Sequence, residues 1–459
     1  MILKVKKVLD ISRVVRAPPS KSYTHRAVII ASLANGVSKL YNPLASKDTF
    51  ASVNACKSFG GDIDTSKFNS FGNDSNANSF WKIKGTENIE NSSKGPIDLK
   101  NSGTTLRIMT SVAGLSKNKT IFTGDDSLKT RLMGMLLEAL KSLGENVKSL
   151  NGDGKLPIII EPGLIGGKTS IDGSFSSQFI SSLLIAGAIA ENGIELEVKG
   201  DFISKSYVYI TLDVMKKFGI RVETNFFIKD EKCDRDDKKS SSTFFSIKPQ
   251  KYIATDYVIE GDYSSSSYLL GAVAILGRKI TVKNLFKDSK QGDKLILDIL
   301  KKMGVEINIK QDFVSLSSDG NFNGINIDLH DSPDLLPTVA TLAVLAKGKT
   351  TITGIKHARF KETDRVTNCV EELSKLGCEI KESEDRMEII NGINLEKADS
   401  NQISSHNDHR LAMAFILIGL KHEILIEGGD VFNVSFPNFI EAMAEIGVEL
   451  ELFGESCMK

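Results

Sequence analysis

The 459-residue chain concentrates its polar chemistry in a few short stretches, among them SKSYTHR (20–26), NSGTTLR (101–107), RFKETDR (359–365) and SHNDHR (405–410). Hydroxyls, amides and glycines at such positions are ordinary caps, because they satisfy the unpaired N–H groups of a helix start. Capping needs neither Lys21 nor the arginines at 26, 107 and 410. Those arginines sit one turn into apolar runs, where the helix dipole disfavours cations. They make sense if the helix starts face anionic ligands, which the free N–H groups also attract. Arg131 in LKTRLMG and the mixed-charge RFKETDR add to the supply of cations. His406 and His409 lie three apart, but HNDHR offers no clear third ligand, so a metal pair is not favoured. Neither a GxxxxGK[ST] nor a GxGxxG pattern occurs, and nucleotide phosphate loops are therefore not supported.

The polar starts lead into six apolar, small-residue runs: HRAVIIASLANG (25–36), TLRIMTSVAGLS (105–116), SQFISSLLIAGAIAENG (177–193), SSSYLLGAVAILG (265–277), LLPTVATLAVLAKG (335–348) and HRLAMAFILIGL (409–420). A helix that is apolar on nearly every side belongs in a core. The remaining starts, SFSSQ (174–178), DYSSSS (262–267) and DSPD (331–334), are again hydroxyl-rich or acidic. A second repeat interleaves with the first. KSFGGDID, KSLGENVK, KKFGIRVE, KKMGVEIN, SKLGCEIK and AEIGVELE each join a helical tail to a strand through a glycine, at 60, 144, 219, 304, 377 and 447. Glycine suits the left-handed position that ends a helix. The unit reads as buried helix, strand, surface helix, strand, six times over. This is an α/β chain, and its length makes two domains of three units more sensible than one core.

Composition narrows the function. Lysine plus arginine equals aspartate plus glutamate, 58 against 58, so no global field draws in nucleic acid or a membrane. Five scattered cysteines without a CxxC argue against a disulfide framework or structural zinc and suggest a reducing compartment. MILKVKKVLD lacks the apolar run of a signal peptide, and YLLGAVAILG (268–277) is far short of the ~20 residues that span a bilayer. A cytoplasmic protein is expected. SKFNSFGNDSNANSF (66–80) and KDEKCDRDDKKSSST (229–243) read as inserted surface loops.

Taken in order, PSKSYTHRA, NSGTTLR, SSQF, EGDYSSSSY, SPD, FKETDR and NDHRLAMAF resemble the 5-enolpyruvylshikimate-3-phosphate synthase family over almost the whole chain. The resemblance implies the enolpyruvyl transferase fold: two similar domains, each of three βαβαββ units around buried parallel helices, an inside-out α/β barrel. The implied domains are 21–257, and 1–20 with 258–459, with the active site in the cleft between them. The implied reaction moves the enolpyruvyl group of phosphoenolpyruvate to the 5-hydroxyl of shikimate 3-phosphate and releases phosphate, with no cofactor and no metal. By the same resemblance, shikimate 3-phosphate contacts Lys21, Ser22, Arg26, Ser176, Ser177, Gln178, Ser204 and Tyr207, with Asp334 and Lys361 at its ring hydroxyls. Phosphoenolpyruvate contacts Lys21, Asn101, Gly103, Arg131, Gln178, Arg365 and Arg410. Asp334 is the implied base and Glu362 the implied acid, with Lys21 beside them. The partners implied are these small molecules alone, on a monomer.

Four positions depart from common members of that family. Leu132 and Ser206 stand where prolines are frequent, Ala358 where an asparagine often touches the shikimate ligand, and Val434 where a lysine is often found. Two readings compete with the synthase. One is the related UDP-N-acetylglucosamine enolpyruvyl transferase, whose loop cysteine has no obvious counterpart here. The other is a non-catalytic anion-binding homologue, against which the presence of both Asp334 and Glu362 argues.

Overall fold

The structure, a computed structural model, describes residues 1–9, 13–67, 79–86, 88–226 and 242–454. Most of both inserted stretches, together with Cys233 and Cys457, lies outside the described residues. The chain divides into two compact units: a split unit of Met1–Ser20 with Glu260–Lys459, and an inserted unit of Lys21–Ile259. Each has its own hydrophobic core.

All six sheets have four strands and the same plan. In the inserted unit, Ile97–Asp98 runs parallel to Thr120–Thr123. Thr120–Thr123 is antiparallel to Ile158–Glu161, which is antiparallel to Asn146–Ser149. Parallel neighbours need a crossover, and here the crossover is the buried helix Gly103–Gly114. The helix Gly134–Ser142 makes the second crossing on the way to Asn146–Ser149. This is one βαβαββ unit. The unit built on Gly167–Asp172 and that on Asn326–Asp328 repeat it without change. The sheets stay open and separate, so the "barrel" is an arrangement of helices and sheets with no closed strand ring among the described residues.

The other three units borrow a strand. Tyr257–Val258 supplies the parallel edge beside Val37–Tyr41. Arg13–Arg16 supplies the parallel edge beside Lys279–Lys283. Ile2–Val8 lies between Leu425–Glu427 and Val448–Phe453, antiparallel to both. The repeat glycines behave as their sequence context predicts: Gly60, Gly144, Gly219, Gly304, Gly377 and Gly447 all have positive φ, between +77° and +105°. Each follows a surface helix and turns the chain back toward its sheet.

The first apolar runs form the buried helices Lys21–Leu33, Gly103–Gly114 and Ser177–Gly187. In the split unit they form Tyr263–Leu276, Leu336–Leu345 and His409–Phe415. In Tyr263–Leu276 every residue from Tyr263 to Ile275 is buried. With no polar flank available, the polar groups of such helices must gather at their starts.

Candidate active site

In the inserted unit, Lys21 opens its helix and its ammonium lies 3.0 Å from Asp48. Asp48 is placed by the helix Lys47–Ser58, whose start is fixed by a reciprocal cap between Ser46 and Thr49. His25 Nε2 approaches the same carboxylate at 3.4 Å, and Ser102 Oγ donates to it. The ring closes behind them: His25 Nδ1 lies 2.8 Å from Ser52 Oγ, which lies 2.7 Å from Thr105 Oγ1. Burial alone would push the Asp48 carboxyl up, but Lys21, His25 and Ser102 outweigh it and hold it well below the usual range. Three helix starts are thus tied at one carboxylate.

Arg26, one turn on, is 1% exposed. Its Nε donates to Thr211 Oγ1 at 2.7 Å, Nη2 to Ser181 Oγ at 3.3 Å and Nη1 to Ser22 O at 3.0 Å. Burial lowers its pKa to about 10. Ser176 caps the helix Ser177–Gly187 by accepting from Gln178 N. The Gln178 amide accepts from Arg107 Nη1 and donates to Thr104 Oγ1 at 3.0 Å. Ser204 holds a left-handed φ of 52°, a strained conformation for a residue with a Cβ, directly before the helix Ser206–Lys217 that carries Tyr207. Asn101 precedes the cap Ser102, and Gly103 is the first residue of its helix. Arg131 follows the short helix Asp126–Lys129 and is half-buried.

The split unit gathers ions instead of hydroxyls. Asp334 enters with the turn Pro333–Leu335 that leads into Leu336–Leu345. Its Oδ1 accepts from Arg365 Nη1 at 2.8 Å and lies 3.4 Å from Lys361 Nζ, while Oδ2 accepts from Arg410 Nη2 at 2.8 Å. Arg365 opens the helix Arg365–Lys375, capped by Asp364, and donates through Nη2 to Glu362 and through Nε to Asp408 at 2.7 Å. Asp408 is wholly buried and caps the helix of Arg410, accepting from Arg410 N at 2.8 Å. Arg359 braces the KETD turn through Asp364 at 3.1 Å and Glu382 at 2.9 Å. Burial opposes the charge on Arg365, yet Asp408, Glu362 and Asp334 raise its pKa above the ordinary arginine value. Lys361 is pulled down by burial, against the attraction of Asp334.

Residues 5–443 match the sequence profile of the family described as EPSP synthase (3-phosphoshikimate 1-carboxyvinyltransferase). The 3-phosphoshikimate 1-carboxyvinyltransferase of Methanobrevibacter smithii is 56% identical, covering 98% of this chain and 100% of its own length. The same-named protein of Methanothermobacter thermautotrophicus is 48% identical, with the same two coverages. The chain belongs to the EPSP synthase family. A solved EPSP synthase from Acinetobacter baumannii superposes with a TM-score of 0.78 at 23% identity, covering 99% of this chain and 100% of the other, which establishes the fold they share.

Within this member of the EPSP synthase family, the residues expected at the site fall into two groups. Asp334, Lys361, Glu362, Arg365 and Arg410 meet in one ion network in the split unit. Lys21, Ser22, Arg26, Asn101, Gly103, Arg131, Ser176, Ser177, Gln178, Ser204 and Tyr207 all lie in the inserted unit, at or near helix starts. The charges balance within the network: Lys361, Arg365 and Arg410 are matched three for three by Asp334, Glu362 and Asp408. One expectation is revised, that for Ala358. It is wholly buried in the apolar core, and the polar side chain beside Lys361 and Asp334 is its neighbour His357. Burial first, then Lys361, lowers the His357 pKa to about 4.

Sequence reasoning passed over Asp48, Asp408 and Asp293. Asp293 is buried and accepts from Ser264 Oγ; burial, reinforced by Asp334, pushes its pKa up to about 7. The signal was present, since each is an acid beside a polar helix start. His406 and His409 do not form a pair aimed at a metal: His406 Nε2 engages Glu372 at 2.7 Å.

Proposed function

We propose that the hydroxyl-rich cluster in the inserted unit recognises the sugar phosphate and that the ionic cluster in the split unit handles the protons. Membership of the family carries the reaction itself: the chain is a shikimate-pathway transferase that moves the enolpyruvyl group of phosphoenolpyruvate to shikimate 3-phosphate. In the proposed assignment Asp334 accepts the proton of the 5-hydroxyl as its oxygen bonds to C2 of phosphoenolpyruvate. Glu362 delivers a proton to the methylene carbon. In the second step a proton leaves the new methyl group for Glu362, the C2–O bond to phosphate breaks, and the double bond is restored. Lys21, Arg365 and Arg410 stabilise the charge that develops on the phosphate and carboxylate, and guanidinium forks match both groups.

The observation that carries this reading is the occupation of Asp334. Three cations hold its two oxygens, so Asp334 is a weakened base until something competes for them. Substrate phosphate and carboxylate groups are such competitors. Binding the anions and freeing the base become one event, and proton abstraction waits for both substrates. The test is phosphate release from phosphoenolpyruvate with shikimate 3-phosphate as acceptor, compared with UDP-N-acetylglucosamine. Release with the second acceptor alone refutes the assignment. A monomer in the cytoplasm remains part of the proposal. It is consistent with the absence, among the described residues, of any helix long and apolar enough to cross a membrane.

A further inference from the structure

The turn that delivers Arg410 is strained. His406 and Asn407 both have left-handed φ, 49° and 58°, side by side and without a glycine. Conformations of this kind persist only where the surroundings over-determine them. Here the surroundings are the segment Glu427–Gly428, whose carbonyls accept from Ser405 N at 2.9 Å and Ser405 Oγ at 3.0 Å, and one helix. Arg365 and Glu372 are seven residues apart on Arg365–Lys375, two turns and therefore one face, and each is 1% exposed. Glu372 holds the beginning of the turn: its Oε2 accepts from Ser404 N at 2.9 Å and its Oε1 lies 2.7 Å from His406 Nε2. Arg365 holds the end of the turn through Asp408 at 2.7 Å. Asp408 in turn fixes the first residues of the Arg410 helix. An ionised carboxylate only accepts, so Nε2 is the protonated nitrogen of His406. Lys375 Nζ, 2.8 Å from both Glu372 oxygens, keeps that carboxylate charged despite its burial.

We propose that His406 is a positioning residue for the phosphoenolpyruvate half of the site: its contact with Glu372 clamps the 404–408 turn and so sets Arg410 against Arg365. This rests on the assignment of those two arginines to phosphoenolpyruvate. The helix grips the turn at two points, and only the His406 point can be removed without touching an arginine or its carboxylates. If that grip is lost, His406 and Asn407 relax toward ordinary φ values between the remaining anchors at Ser405 and Asp408, and Arg410 moves relative to Arg365. A pair of guanidiniums out of register binds a phosphate and carboxylate less well, whereas Glu362 keeps its contact to Arg365 and Asp334 keeps those to Arg365 and Lys361.

The test is steady-state kinetics of His406→Asn, His406→Gln and the unaltered full-length chain, with thermal melting of each. Asparagine tolerates left-handed φ but is too short to reach Glu372; glutamine keeps a donor at about the original reach. His406→Asn is expected to raise KM for phosphoenolpyruvate about tenfold with kcat and KM for shikimate 3-phosphate within about twofold. His406→Gln should recover most of the loss. An unchanged KM for phosphoenolpyruvate in folded His406→Asn overturns the proposal, as does an equal rise in both KM values or a fall confined to kcat. If His406→Asn does not fold, Glu372→Gln, which keeps an oxygen for Ser404 N–H, must raise the same KM selectively or the proposal fails. Turnover by the unaltered chain is measured first: its absence refutes the site assignment itself, whereas normal turnover with an insensitive His406→Asn refutes the clamp alone.

Discussion

Lys21 in the inserted unit leans on one carboxylate at 3.0 Å and keeps 18% of its side chain exposed; Arg365 in the split unit holds three carboxylates and keeps 1%. Lys21 opens the first, buried helix of its βαβαββ unit, and Arg365 opens the second helix of its own. Around Lys21 the neighbours are Ser22, Ser102, Thr105 and Ser52, groups that can turn their hydroxyls to suit a polyol or a phosphate. Around Arg365 they are Asp334, Glu362 and Asp408, groups that can carry protons. The fold supplies polar helix starts in both units; which chemistry they perform is written in the few side chains placed there.

If that division is right, the largest effects lie with the carboxylates. Asp334→Asn and Glu362→Gln should each lower kcat by ~10²–10⁴-fold while substrate binding survives better, because the cations remain. Glu362→Gln should also suppress exchange of the phosphoenolpyruvate methylene hydrogens with solvent, followed by NMR. Near-normal kcat in Glu362→Gln points to Lys21 for the acid, and near-normal kcat in Asp334→Asn ends the assignment of the base.

The contrast in burial can be set against stability. Arg365→Met leaves Asp408 buried without its strongest partner, and breaking such a pair costs ~3–5 kcal/mol. Lys21→Met should lose turnover as well, yet melt closer to the parent, because Ser102 and His25 still face Asp48. Equal losses of Tm would mean that the two clusters are structurally alike.

Gly103 probes close approach of a ligand in the inserted unit. A Cβ built there meets nothing nearer than Arg107 Nη1 at 3.8 Å, so Gly103→Ala should fold normally. A rise of about tenfold in KM for phosphoenolpyruvate, with weaker inhibition by glyphosate, would then report a methyl group intruding on the ligand. Unchanged kinetics would leave Gly103 as a turn residue only.

The smallest expected effect concerns Asp293. Its pKa in the fold, about 7, lies above the ordinary 3.8, so the protonated group favours the folded state. That contribution is complete below the lower value and is lost as pH rises through the higher one. The unaltered protein should lose Tm between about pH 4 and pH 7. Asp293→Asn, which cannot ionise, should flatten that loss by a few degrees, at roughly 2–4 °C per kcal/mol for units of this size. A parallel pair of curves would place the pH dependence elsewhere.

The repeat was legible because its signals are local. A helix tail, a glycine and an alternating run lie within eight residues, and all six glycines take the left-handed φ that this reading requires. Buried helices were legible from composition alone. The ion network was less so, since its partners lie far apart in sequence: Asp334 meets Arg410 across 76 residues and Ser102 meets Asp48 across 54. Asp408 was hidden by its own second role, for an acid before a helix reads as a cap, and a cap it is. Likewise, matching the sequence by motif put the altered contact at Ala358, whereas the turn Lys356–Phe360 buries that methyl and sets His357 beside Asp334 instead.

The place of Ile2–Val8, between Leu425–Glu427 and Val448–Phe453, bears on synthesis. Protein domains usually fold in the order in which they leave the ribosome, but here that order is broken. The inserted unit has every strand it needs once Ile259 has emerged, whereas the first strand made must wait for Val448–Phe453, the last partner in its sheet. Throughout that interval the seven-residue strand ILKVKKV lacks the partners of both its edges. Lys4, Lys6 and Lys7 guard those open edges against pairing with another chain until the last partner strand is made.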